Sequence, residues 1–456
     1  MKINEIYLRN FRCFEELSIV FDPLLTIFVG DNGSGKTAIL DAITIAFGRL
    51  LTKLPNLKGL SLKDNDIRII EYKKKSAFVR YSMSTLDFKG DPVKWTAHKK
   101  RDSSPKTANE AKFEIAGSQF DIVGFKHINE FANSLIDSHN DDVPFKMPLI
   151  VYYGTSRAIV DEVKRRRNFR KNFSRFDSLD GALEPDARFR AAFEWFNAME
   201  DEERREQQAH RDYNFSLPSL NTVRNAISSM LRDFENPRTE TKPFRFVIDR
   251  KNEDGSSHTL RISQLSDGYR TMLGLVMDLA RRMAEANPPD SNLGHDSSWD
   301  VKNPLHMPAI VLIDEIDLHL HPQWQQRVVT DLQRTFPNTQ FILTTHSPQV
   351  LSTVRRENIR VIGQNTQGIS IAEPPLAMTY GEPSGDVMHS VMLVDPQPPV
   401  SEKADLHRLT ELVDQGLYSS QEAVRLMERL QAALHEKHPQ LLRLRRSIQR
   451  QEALKG

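Results

Sequence analysis

Three stretches of this 456-residue chain combine residue types and spacings suited to phosphate chemistry. Residues 30–37, GDNGSGKT, fit G-x-x-x-x-G-K-[ST], with an additional glycine at Gly33. Gly30, Gly33 and Gly35, with Asn32 and Ser34 between them, let backbone N–H groups curl around phosphate oxygens. Lys36 would reach the β- and γ-phosphates, and the Thr37 hydroxyl would ligate Mg²⁺. Residues 309–317, AIVLIDEID, end an apolar run in adjacent carboxylates. Asp314 would hold Mg²⁺ through its water shell, and Glu315 would orient the attacking water. Residues 341–348, FILTTHSP, place His346 at the end of another apolar run, where a neutral imidazole could bond the γ-phosphate or the water. Binding and hydrolysis of a nucleoside triphosphate is the chemistry predicted.

A second anion site is predicted at residues 265–270, LSDGYR, ahead of an amphipathic helix. Ser266 offers a hydroxyl, Gly268 a close backbone approach, and the helix its positive end. Two such sites on one chain suggest that each serves a different nucleotide edge when two copies meet head to tail.

The elements that must carry these residues are also legible. Residues 26–29 read as a short buried strand stopped by Gly30, and residues 38–51 as a largely buried helix. The apolar run before Asp314 reads as a parallel strand buried on both faces, with its acids at the C-terminal edge where α/β folds bind ligands. Residues 2–9 and 17–21 alternate as strands, residues 149–153 as a buried strand, and residues 98–112 as an exposed polar loop. Hydrophobic residues make up 39% of the chain and charged residues 27%, at a net charge of +1, so any nucleic-acid surface must be local. The basic stretch at residues 164–175 interleaves Lys164, Arg165, Arg166, Arg167, Arg170, Lys171 and Arg175 with phenylalanines. It serves either nucleic-acid contact or a surface excursion anchored by its rings. A single cysteine, Cys13, excludes an intramolecular disulfide framework. No run of 18 apolar residues or charged-then-apolar leader is present, so a soluble, cytoplasmic chain with no membrane partner is expected.

Taken in order, the motifs resemble the ABC-type ATPases of the RecF and SMC group. The resemblance implies an α/β fold: a P-loop ATPase head of two lobes, a helical and basic insertion, and a short helical C-terminal tail. The expected divisions are residues 1–155, 156–243, 244–375 and 376–456. In that group an N-terminal NFR segment lies near the nucleotide, which makes Asn10 and Arg12 candidate contacts. The signature departs from the family pattern at Asp267, and Asp66 is the position offered for the missing Q-loop glutamine. DEIDLHLHPQWQQ followed by TTHSPQVL looks like the overcoming-lysogenization-defect type of head, with His319 and His321 in its D-loop. Head, insertion and short tail are similar to the ATPase subunit of the Septu anti-phage system, whose partner is a separate HNH nuclease.

The resemblance thus implies ATP and Mg²⁺ as ligands, a homodimer or higher oligomer, an HNH partner, and nucleic acid contacted by the complex. Apolar positions in the tail, Leu406, Leu409, Leu412, Val413, Val424, Leu426, Met427 and Leu430, are expected to face a partner or pack on the head. The second reading is a RecF-like repair ATPase that clamps DNA directly.

Overall fold

The computed structural model describes all residues except 72–73, 117–123, 157–173, 186–188, 242–243, 253, 290–302, 436 and 456. It separates into two compact units, Met1–Val387 and Met388–Gly456.

The first unit is built on a six-stranded sheet. Its order is Ser370–Glu373, Ile359–Gln364, Leu25–Val29, Gln340–Thr344, Ala309–Ile313 and Leu149–Tyr153, parallel except for the first strand. The inner strands are wholly buried, which is why they are mostly apolar, with Thr26, Gln340 and Thr344 as the polar exceptions. Register aligns Thr344 with Phe28 and Leu343 with Ile313, so the phosphate loop and the acids leave the sheet at one edge.

A four-stranded antiparallel sheet, Phe14–Val20, Lys2–Phe11, Phe78–Leu86 and Pro92–Lys100, lies beside it. Gln340 stitches the two together: its side chain accepts from Ile3 N at 2.7 Å and donates to the Ile3 and Asp22 carbonyl oxygens at 2.8 Å. Trp95 donates its indole N–H to Ala46 O at 2.9 Å and stacks edge-on against Phe47, fixing the phosphate-loop helix (Lys36–Lys53) to this second sheet. A smaller sheet, Ser257–Arg261, Phe244–Lys251 and Phe234–Thr241, leads into the signature helix, Asp267–Ala286.

The polar stretch expected as a loop instead contains a helix, Pro105–Ala116. Ser104 caps it by accepting from Thr107 N at 3.2 Å, and Pro105 supplies the pre-set first turn. Its polarity hid a regular N-terminal signal.

In the second unit the helices Lys403–Asp414, Gln421–Leu434 and Pro439–Lys455 pack around their own core of Leu406, Leu409, Leu412, Val413, Ala423, Leu426, Leu430, Leu441 and Leu444. The tail's apolar faces are therefore spent largely on one another, although Val424 stays exposed. Ser420 caps the second helix, and Gly416, at φ 74°, ends the first. Ser401 does not cap: the first helix opens at Lys403, and the Ser401 hydroxyl bonds Glu402. Among the described residues no helix is long and apolar enough to cross a membrane.

Candidate functional site

The phosphate loop closes tightly on the helix it starts. Gly33 and Gly35 have φ of 82° and 98°, left-handed values that glycine adopts without strain. A Cβ at Gly35 would also lie 2.3 Å from the Phe14 ring and 2.6 Å from Cys13 Sγ, so the turn after the first strand sits directly against the loop. Lys36 Nζ donates to Gly30 O at 2.8 Å and Asp31 O at 2.9 Å. Burial lowers the pKa of its ammonium, against the opposing charges of Asp314, Glu315, Asp31 and Asp317. Ser34 Oγ is buried with no hydrogen-bond partner, a donor left over inside a loop of this shape.

Opposite the loop, sheet order decides the geometry. The strand Gln340–Thr344 lies between the phosphate-loop strand and the carboxylate strand, which brings Thr344 up to Asp314. Asp314 accepts from Thr37 Oγ1 at 2.8 Å and from Thr344 Oγ1 at 2.6 Å. Thr344 Oγ1 also accepts from Glu315 N at 2.7 Å, while Glu315 itself sits at φ 48°. Asp317 accepts from Thr345 Oγ1 at 2.6 Å and from His346 N at 3.3 Å, tying the carboxylate loop to the segment that carries His346. A threonine hydroxyl beside a buried carboxylate is a pair of hard oxygen donors, as Mg²⁺ prefers. The lysine, the unpartnered serine hydroxyl and this pair all fit a nucleoside triphosphate with its metal.

The defining pattern of the AAA domain matches residues 5–235, just over half of the chain, and that of the AAA ATPase domain matches residues 177–351. The chain belongs to the AAA-domain family. It is similar to a retron Ec83 probable ATPase from Escherichia coli, 26% identical over 93% of this chain and 82% of the relative. A retron Vc95 probable ATPase from Vibrio cholerae is 25% identical over 85% of this chain and 78% of the relative. A Septu protein PtuA from Bacillus mycoides is 25% identical over 80% of this chain but only 41% of its own length. The chain is a nucleotide-binding ATPase.

Other predicted residues fall elsewhere around this AAA-domain site. Ser266 stands at the N-cap of the signature helix, exposed, with no capping bond from its side chain. Gly268 is pressed onto the carboxylate loop: a Cβ there would meet His319 O at 2.6 Å. Asp267, the departure from the family pattern, is paired with Arg270. His319 is exposed, and His321 accepts from Gln323 N through Nδ1.

Arg12 lies beside the loop rather than in it, with Asp41 at 2.5 Å and Asp66 at 3.0 Å. Asp66 is buried and committed to Arg12 and to Lys63 N, so it holds the arginine instead of standing open to a metal. Lys164, Arg165, Arg166, Arg167, Arg170 and Lys171 lie outside the described residues. Arg175 is described and is structural: it donates to Ala286 O, Phe145 O and Asn287 Oδ1 and stacks 3.9 Å over the Phe145 ring.

Sequence reasoning missed Thr344, which joins Asp314 to Glu315. A hydroxyl residue closing the buried run Phe341–Leu343 was the available signal.

Proposed function

We propose that this chain is the ATP-driven subunit of an anti-phage defence complex, closing as a homodimer around ATP and controlling a separate HNH nuclease. The observation that carries the nucleotide half is the Thr37–Asp314–Thr344 cluster at the mouth of the phosphate loop. The likeness to a Septu PtuA and to retron ATPases supports the defence setting.

In this reading Gly30, Asn32, Gly33, Ser34 and Gly35 cradle the phosphates, and Lys36 leaves the loop carbonyls for the β- and γ-oxygens. Thr37 and Asp314 hold Mg²⁺, which neutralises phosphate charge when bound. Glu315, its backbone fixed by Thr344, orients the attacking water, and His346 senses the γ-phosphate. Ser266 and Gly268 complete the site of a second copy, and Arg12 reports on the loop through the turn packed on Gly35.

Isolation of the tagged chain, expressed together with the reading frames beside its own, tests the assignment. An HNH nuclease retained in fixed ratio is expected, with nuclease output altered when Lys36→Ala abolishes ATP binding. A chain that elutes alone, or a nuclease indifferent to Lys36→Ala, overturns it.

A further inference from the structure

The last helix, Pro439–Lys455, buries one face and leaves the other charged. Leu441 and Leu444 join the core of the helical unit, and Ile448 packs against it. Gln451 extends that inner face by donating to Val413 O at 2.9 Å. Arg443, Arg446 and Arg450 fall at i, i+3 and i+7 on the opposite side, within an arc of about 60° and a length of about 10 Å. All three are exposed, and none has an ion pair or side-chain hydrogen bond among the described residues. Arginines on the neighbouring helices show the usual alternative: Arg408 pairs with Glu422 and Glu411, and Arg429 with Asp405.

Local causes do not account for the stripe. Glu452 is the helix's single acid and is not at i±3 or i±4 from any of the three. Arg443 and Arg446 also lie outside the last turn, where the helix dipole would reward a cation.

We infer that this stripe binds the phosphate backbone of a nucleic acid. Guanidinium groups match phosphate oxygens two at a time and stay charged at any physiological pH. The helix carries no aromatic side chain to anchor a protein interface, and Gln449 and Ser447 beside the arginines add further hydrogen-bonding groups. Contacts of this kind position a strand without reading its sequence.

The test uses the full chain and three labelled probes of equal length: duplex DNA, single-stranded DNA and single-stranded RNA, each titrated across a salt series. Replacing Arg443, Arg446 and Arg450 together by Gln should weaken binding. It should also reduce the slope of log affinity against log salt by about 2.7 on duplex or about 2 on a single strand. The matching triple Lys variant should retain the wild-type slope, which separates lost charge from a damaged helix. Whichever probe shows the change identifies the nucleic acid. An unchanged affinity and slope on all three probes overturns the inference, and so does loss of a bound acidic protein with nucleic-acid binding intact. Lys36→Ala should leave this binding untouched, so failure of the ATP-driven reading and failure of the arginine surface are distinguishable.

Discussion

At the phosphate loop Lys36 and Thr37 are answered within the chain while Ser34 Oγ is not, whereas at the signature turn Ser266 faces solvent. Thr37 and Thr344 both donate to Asp314, Glu315 N rests on Thr344, and Lys36 is held by two loop carbonyls. Ser266, by contrast, is exposed and caps nothing. The first half is held by hydrogen bonds within the chain. The second is a helix end whose unanswered N–H groups cost little in water and become useful when an anion is brought to them. That asymmetry suits the two-copy site proposed above.

The two halves are nevertheless tied through the signature helix. Asp278 on that helix accepts from the Tyr153 hydroxyl at 3.0 Å, and Tyr153 O accepts from Asp314 N at 2.9 Å. Arg281 and Arg282 bind Asp278 at 2.8 Å, and Arg282 reaches the carbonyl oxygens of Ser178 and Asp180. The open half is thereby braced against the strand next to the carboxylate strand.

The largest expected effect tests the finished half. Glu315→Gln keeps the side chain's shape but cannot take a proton from water, so turnover should fall about 10²- to 10⁴-fold. ATP binding should persist and an ATP-bound dimer accumulate, visible by sedimentation. Wild-type turnover would place the water-orienting role elsewhere.

Next comes the brace. Burial opposes ionisation of Asp278, but Arg282 and Arg281 outweigh it and hold the carboxyl down to about 2, from an ordinary 3.8. A pKa depressed by folding contributes stability that is complete above about pH 4 and lost as pH falls towards 2. Asp278→Asn should cost about 3–5 kcal/mol at neutral pH by leaving the buried Arg282 without its carboxylate, while Arg281 keeps Glu285. The gap in melting temperature between wild type and variant should narrow below pH 4. A constant gap would mean that Asp278 is not ionised in the folded chain.

The contrast between the halves also explains what could be read from the sequence. The phosphate loop and the Asp314–Glu315 pair were legible because strand, turn and helix signals are local and their spacing is set by the ligand. Thr344 was not, since its role depends on which strand lies between two others, and pairing order is not a local property. Arg12 came from the family resemblance, as a candidate nucleotide contact, and its two carboxylate partners lie 29 and 54 residues away. The tail's helices were visible from their periodicity. Their destination was not, because an apolar stripe looks the same whether it packs on a head, a partner or its own neighbours. The helix at Pro105–Ala116 was missed for the opposite reason: a polar surface muted its periodicity while the Ser104-Pro105 start signal stood in plain view.

A smaller effect probes the hinge of the finished half. Thr344→Val keeps the shape but removes the hydroxyl that Glu315 N donates to and that donates to Asp314. The orphaned groups should cost about 1–3 kcal/mol, read as a lower melting temperature together with reduced turnover. Unaltered turnover would make Thr344 a packing residue only.

The smallest effect on the isolated chain is expected at the open half, and it separates the two halves most sharply. Ser266→Arg adds bulk and charge at an exposed N-cap that makes no side-chain bond, so stability should stay within about 0.5 kcal/mol of wild type. ATP binding by the monomer should also be unchanged, since the phosphate loop is complete without Ser266. ATP-driven association should nevertheless disappear, and turnover with it. Those outcomes cannot arise together if one copy supplies the whole site. Full hydrolysis by the Ser266→Arg chain would return the second half of the site to the same molecule as the first.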